Sequence, residues 1–148
     1  MHQKTVSVLL LAGGLACCGS TAFGQDLQRV PPRHPAKSLP MQSILYDAGT
    51  HAEQIFQAAR ATNQAPPIAE LKKNMAGRGL RMRDDAKIQV EIVGPAGAGP
   101  IDPKVVAPLG GEITNTWQNR ADLWVPAEAL TGLARALPAG YFMERADP

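Results

Sequence analysis

The chain has 148 residues, of which 15 are Lys or Arg and 13 are Asp or Glu, so its formal net charge is only +2. A balance this even argues against a surface built to bind nucleic acid or anionic membranes. The length suits one ordinary domain with an appendage. We therefore expect no nucleic-acid partner and look for function in a single folded unit.

The first 24 residues have the pattern of a secretory signal. A polar, basic start is followed by the apolar run Val6–Ala16, which is too short to span a bilayer as a helix. Small residues at positions 22 and 24 then suit a signal peptidase, so cleavage is expected before Gln25. Lipoprotein processing at Cys17 or Cys18 is the alternative, although the residues before each cysteine fit that motif poorly. The prediction is export to the periplasm or beyond, with no stable membrane span after signal removal.

Little catalytic chemistry remains once residues 1–24 are removed, because both cysteines go with them. The rest of the chain keeps two serines, Ser38 and Ser43, and two histidines, His34 and His51. Serine–histidine catalysis needs both groups held within hydrogen-bond reach, and two scattered histidines make no metal cluster. We therefore predict no catalytic residues, no metal site and no cofactor, and hence a protein that is not an enzyme.

Two regions precede the sheet-forming half of the chain. Residues 25–42 are rich in proline and basic side chains, which predicts a disordered linker. Apolar residues at helical spacing then predict an amphipathic helix over Ser43–Thr62, weakened by Gly49, and Pro66-Pro67 separates it from a second helix. Residues 43–86 are thus expected to form a helical hairpin ahead of the sheet.

Residues 87–148 carry the pattern of a compact sheet with two helices. Apolar and polar side chains alternate strictly along the first strand, Lys87–Val93. The other elements, in chain order, are a helix over Asp102–Leu109, strands over Glu112–Gln118 and Ala121–Val125, a helix over Ala127–Leu137 and a strand over Tyr141–Arg145. The order β-α-β-β-α-β predicts an α+β, ferredoxin-like fold, in which one antiparallel sheet has two helices on one face.

The sheet face opposite the two helices is predicted to be the working surface. Alternation along the strands assigns six side chains to it: Gln89, Glu91, Thr114, Thr116, Asp122 and Trp124. A solvated tryptophan among threonines indicates a contact surface for a protein partner. The alternative, that the helices of residues 43–75 simply cover this face, stays open at the level of the sequence.

Several short sequence motifs follow one another in the second half of the chain. They are Ile88–Ile92, Leu109–Ile113, Leu123–Pro126 with Leu130, Leu133 and Ala134, and Leu137–Gly140. In this order they resemble the propeptide-like N-terminal domains that precede secreted subtilisin-like serine peptidase domains. The resemblance implies a domain that folds with the peptidase, packs its open sheet face against it and inhibits it. The implied partner is therefore a subtilisin-like peptidase domain, in cis or in trans.

The chain departs from that family in two ways. No peptidase catalytic motif is present, and no tail long enough to fill a substrate cleft follows the last predicted strand. The expectation is either the N-terminal fragment of a longer peptidase or a stand-alone relative that acts in trans. A different function, a small exported adaptor that binds a protein or peptide through the open sheet face, is the alternative.

Overall fold

A computed structural model describes residues 39–147. The predicted signal over residues 1–24, and the predicted linker as far as residue 38, lie outside the described residues. Within residues 39–147, none of the helices combines the length and the hydropathy that crossing a bilayer requires.

One four-stranded sheet forms the centre of the fold. Its strands are β1 (Lys87–Val93), β2 (Glu112–Trp117), β3 (Arg120–Pro126) and β4 (Phe142–Arg145). They lie in the order β2-β3-β1-β4, and every neighbouring pair is antiparallel. Helical connections follow β1 and β3, which completes the order β-α-β-β-α-β. The predicted α+β, ferredoxin-like fold is confirmed.

The connection between β1 and β2 begins where the sequence predicts. The Asp102 carboxylate accepts a hydrogen bond of 2.9 Å from the backbone N–H of Lys104, and proline occupies the first helical position. Helix α3 (Pro103–Val106) follows and tightens into a 3₁₀ turn at Ala107–Leu109. Proline inside that turn cannot donate a backbone hydrogen bond, so the helix stays short. Gly110 then adopts a left-handed conformation, with φ of 74°, and the chain enters β2.

The second crossover runs over residues predicted as one helix, Ala127–Leu137. It consists of a 3₁₀ turn at Ala127–Ala129 followed by α4 (Leu130–Ala136). Leu130 and Leu133 are fully buried beneath it. The two crossovers lie over the inward side of the sheet, where six strand residues have no exposed area: Ile88, Val90, Ile92, Ala121, Leu123 and Val125.

Two N-terminal helices share this core. They are α1 (Ser43–Ala61) and α2 (Ile68–Gly77), and Leu45 and Leu71 are completely buried in the cluster that also contains the inward strand residues. Helix α1 packs against the second crossover at Gly49, where an added Cβ would lie 3.0 Å from the Cβ of Leu130. The glycine therefore permits a close approach of two helical segments. Helix α1 thus lies on the helical side of the sheet.

The two edges of the sheet differ. Met41 pairs in parallel with Met143, so the segment just before α1 covers the outer side of β4. On the opposite edge, β2 bonds only to β3 among the described residues, and all of its residues except Ile113 are exposed. One edge is therefore protected by the chain itself and the other faces solvent.

We expect Gly111→Ala to destabilise the fold by about 1–3 kcal/mol, because overpacking a tight site forces backbone and side-chain shifts. A Cβ at residue 111 would lie 3.2 Å from the carbonyl oxygen of Val106 and would also collide with that residue's side chain. Urea denaturation of the purified chain measures the change. Gly99→Ala is the matched control, since no atom lies within 4 Å of its added Cβ. Equal stability of the two variants would contradict the packing described at the start of β2.

Candidate functional site

The sheet face opposite the helices carries a row of side chains that includes two exposed aromatic rings. Cross-strand partners share a face, and the register aligns Phe142 with Val93, Val93 with Arg120, and Arg120 with Trp117. Trp117 is 42% exposed and Phe142 is 39% exposed. The row therefore crosses all four strands, with aromatic rings at its two ends and a guanidinium group between them. We call it the aromatic row.

A row of acidic side chains lies next to the aromatic row on the same face. The register aligns Glu144 with Glu91, Glu91 with Asp122, and Asp122 with Asn115. Arg120 reaches into this acidic row, with its Nη1 2.6 Å from Glu91 Oε1 and 3.6 Å from Glu144 Oε1. Glu91 is only 7% exposed, so this pair satisfies a carboxylate that is largely removed from water.

The pKa values of two side chains at the centre of the face, Arg120 and Asp122, are raised by their surroundings. The hydrogen bond to Glu91 raises the pKa of the Arg120 guanidinium, and the charges of Glu91 and Glu144 add to the effect. Burial raises the pKa of the Asp122 carboxyl, and the nearby charge of Glu91 raises it further, while a hydrogen bond from Asn115 opposes the change. Among the described residues, no cation lies within ion-pair distance of Asp122. The acidic row thus has one cation for three carboxylates.

The far side of the face is organised around Trp124. Its register partners are Gln89 on β1 and Glu112 on β2. The Arg83 guanidinium lies 5.4 Å from the centre of the Trp124 ring and donates to Glu112 at 3.0 Å. Lys87 also donates to Glu112, and this bond is the main cause of the lowered pKa of that carboxyl. Trp124 is therefore held under a cation and is less free than Trp117.

Four of the six residues predicted for the open face lie on it: Gln89, Glu91, Asp122 and Trp124. Thr114 is the extra residue of a β-bulge between Ile113 and Asn115, and its hydroxyl lies 3.2 Å from the carbonyl oxygen of Asp122. The placement of Thr116 is wrong, because its register partner is Ala121, whose side chain points to the core. The bulge inserts one residue and so reverses the alternation that follows it.

Sequence reasoning missed the two most exposed rings of the face. Unbroken alternation along β2, with Thr114 and Thr116 on the open face, puts Trp117 on the inward side, because it allows for no bulge. Alternation does not assign Phe142 to either face, because its strand carries apolar residues at successive positions. The composition of β2 gave one signal for Trp117. Its neighbours in the strand are polar, so a large tryptophan ring would have few apolar partners to bury it on the inward side.

One cleft away from the open face, of about 640 Å³, lies along α2 and is lined by Glu70, Lys73, Asn74, Gly77 and Arg78. The end of α1 borders a cleft of about 300 Å³ that no ionisable side chain lines; its lining is Ile55, Ala58, Ala59, Thr62, Gln64, Ala65 and Pro67. No group of three or more His, Cys, Asp or Glu within residues 39–147 is placed to hold a metal ion. His51 lies on α1, and His34 is outside the described residues.

Comparison of the chain with protein-family models, with curated proteins and with solved structures finds no match.

The raised pKa of Asp122 predicts a pH-dependent effect of removing its charge. A raised native pKa means that the folded chain holds this proton more tightly than the unfolded chain, so stability falls as pH rises from the usual aspartate range through the raised value. Asp122→Asn should therefore raise the free energy of unfolding at pH 7 by up to about 0.5 kcal/mol, which a higher urea midpoint than that of the wild type would show. The gain in stability should vanish below about pH 3, where the Asp122 carboxyl is protonated in both the folded and the unfolded chain.

Glu112→Gln is the control of opposite sign for that measurement. The pKa of Glu112 is lowered, first by its hydrogen bond from Lys87, so its contribution to stability is present at neutral pH and is lost as pH falls. The glutamine variant should be less stable than the wild type at pH 7 and equal to it in acid. Effects of the same sign in both variants would contradict the electrostatics described for this face.

Proposed function

We propose that the chain is an exported, non-enzymatic domain that binds a protein partner through the open face of its sheet. The observation that carries this proposal is the aromatic row, because no part of residues 39–147 buries Trp117 or Phe142, while the helices occupy the other face. Aromatic residues and arginine are enriched in protein interfaces and supply most of their binding energy. The open face presents both, on strands rather than on loops.

The open face is also preorganised for docking. The ion pair of Arg120 with Glu91, and the position of Arg83 over Trp124, hold the charged and aromatic groups before a partner arrives. Ordering these side chains in advance lowers the entropy cost of association. The contact residues lie in regular rows on paired strands, which suits recognition of a flat or gently curved protein surface.

We further propose that the partner is a subtilisin-like serine peptidase domain, for which the chain acts as a folding chaperone or inhibitor. The β-α-β-β-α-β order, with the helices on one face and the other face free, supports this proposal. So do the positions of the motifs: the glycine pair Gly110-Gly111 leads into β2, and Leu130 and Leu133 bury the second crossover. A domain of this size has a modest core, and docking would stabilise it by mass action.

The test is a titration of the purified chain against a secreted subtilisin-like peptidase. The initial rate of peptide hydrolysis should fall as the chain is added, and recovery of activity from denatured peptidase should accelerate. Trp117→Ala should raise the inhibition constant at least about tenfold, the loss typical of an interface hot spot. Gln54→Ala, an exposed change on α1, is the control and should leave inhibition unchanged.

A chain that neither inhibits the peptidase nor assists its refolding, with a cognate enzyme present, would overturn the assignment to a peptidase. Inhibition that is insensitive to Trp117→Ala would overturn the role of the open face.

A second candidate, a small exported adaptor that binds an extended peptide, is favoured by the solvent-facing edge of β2. A peptide strand could add to this edge through backbone hydrogen bonds. Hydrogen exchange distinguishes the two candidates, because strand addition should protect the outward backbone N–H groups of Glu112–Trp117. Docking on the face alone should leave these amides unchanged.

A further inference from the structure

The acidic row leaves an excess of negative charge at the centre of the open face. Three carboxylates, those of Glu91, Asp122 and Glu144, face the single guanidinium of Arg120. This charge lies directly beside the aromatic row, so a ligand that matches the surface must carry cations together with groups that pack on aromatic rings. A basic segment that contains proline has this combination, because proline packs on aromatic faces and arginine pairs with carboxylates.

The sequence contains such a segment shortly before the first described residue. Residues 32–38 include Arg33, Pro35 and Lys37, and no acidic residue occurs between Asp26 and Asp47. These residues lie outside the described part of the structure.

The described chain begins at the same end of the sheet as the aromatic row. Residues 39–42 run along the outer side of β4, where Met143 donates to the carbonyl of Pro40 and Gln42 donates to the carbonyl of Met143. Because the pairing of Met41 with Met143 is parallel, Leu39 lies toward the end of β4 that begins with Phe142. That end of the sheet carries the aromatic row.

The segment is long enough to reach the acidic row. Arg33 stands six positions before Leu39 in the sequence, and extended chain advances about 3.1 Å per residue, which gives a reach of about 19 Å. From the outer side of β4, strand β3 is three strand spacings away, or about 14 Å at about 4.8 Å each. The reach therefore exceeds the distance to Asp122 on β3, the farthest of the three carboxylates.

We propose that residues 32–38 bind in cis to the open sheet face, with Arg33 and Lys37 at the acidic row and Pro35 on the aromatic row. The segment then occupies the surface that a protein partner would use, and a partner must displace it. The proposal concerns the free chain and can be tested without a partner, so its failure is distinguishable from failure of the proposed function.

The two tryptophans provide the measurement. Trp117 and Trp124 are the only tryptophans in the sequence and both lie on the open face, so acrylamide quenching of intrinsic fluorescence reports on this surface alone. Arg33→Glu combined with Lys37→Glu should increase the quenching constant of the full chain by roughly twofold, as like charges now repel the segment from the acidic row. The control, Lys73→Glu with Arg135→Glu, reverses two exposed cations on helices and should leave quenching unchanged.

Salt and a compensating charge change complete the test. Quenching of the wild type should rise toward the level of the Arg33→Glu, Lys37→Glu variant between about 0.02 and 1 M NaCl, because the screening length falls to about 3 Å, while the variant should change little. Adding Glu144→Arg to that variant should restore part of the protection.

Equal quenching of the wild type and the Arg33→Glu, Lys37→Glu variant at low salt would overturn the proposal. Protection that disappears on dilution would overturn its assignment in cis.

Discussion

Leu45→Ala is expected to lower the free energy of unfolding by about 2–5 kcal/mol, the range for removing a fully buried leucine side chain. Leu45 lies on α1 with no exposed area, in the same hydrophobic cluster as the inward strand residues. The loss should therefore destabilise the sheet as much as the helix. Urea denaturation followed by far-ultraviolet circular dichroism and by tryptophan fluorescence measures both, since the two tryptophans lie on the strands.

The two signals should give one transition with the same midpoint in the wild type and in Leu45→Ala, because a shared core unfolds cooperatively. Gln54→Ala, an exposed substitution on the same helix, should change stability by less than about 0.5 kcal/mol. A helical signal that is lost first, with tryptophan fluorescence unchanged, would show that α1 folds apart from the sheet and would contradict the shared core.

Arg120→Ala is expected to lower the urea midpoint of unfolding, although the side chain lies on the open face of the sheet. The reason is the partner of Arg120: Glu91 is only 7% exposed, and the variant removes the guanidinium that lies 2.6 Å from this carboxylate. Since the side chain of Arg120 is itself 40% exposed, solvent screening keeps the cost below that of a fully buried pair. Urea denaturation at pH 7 measures the loss.

A double-mutant cycle separates this pair from the rest of the face. In a Glu91→Gln background, Arg120→Ala should lower the urea midpoint less than it does in the wild type, because residues in direct contact are energetically coupled. Arg135→Ala on α4 is the matched control, because no ion pair involves this arginine among the described residues. Equal costs of Arg120→Ala in both backgrounds would contradict the role given to the pair.

The elements that a local pattern specifies were predictable from the sequence. The bounds of β1 match the alternating run Lys87–Val93, and the Asp102 cap with proline behind it marks the start of α3. The inward residues of β3, which are Ala121, Leu123 and Val125, are buried as alternation predicts. These features depend on two or three neighbouring residues, so the sequence alone carries them.

The features that depend on tertiary contacts were not predictable in this way. No glycine or proline near Thr114 signals the β-bulge in the sequence. The bulge nevertheless moves Trp117 to the open face and Thr116 away from it. Gly49 illustrates the same limit. Taken alone it weakens a helix, but in the folded chain it allows α1 to approach Leu130. The role of such residues depends on what packs against them.

Photo-crosslinking tests most directly whether the open face is the docking surface. A photoreactive amino acid is placed at position 117 on β2 or, as the control, at position 54 on the exposed side of α1, and each chain is irradiated with a subtilisin-like peptidase. Docking through the open face predicts a covalent adduct with the peptidase from position 117 and none from position 54. An adduct from position 54 alone, or none from position 117 at concentrations that inhibit the peptidase, would contradict it.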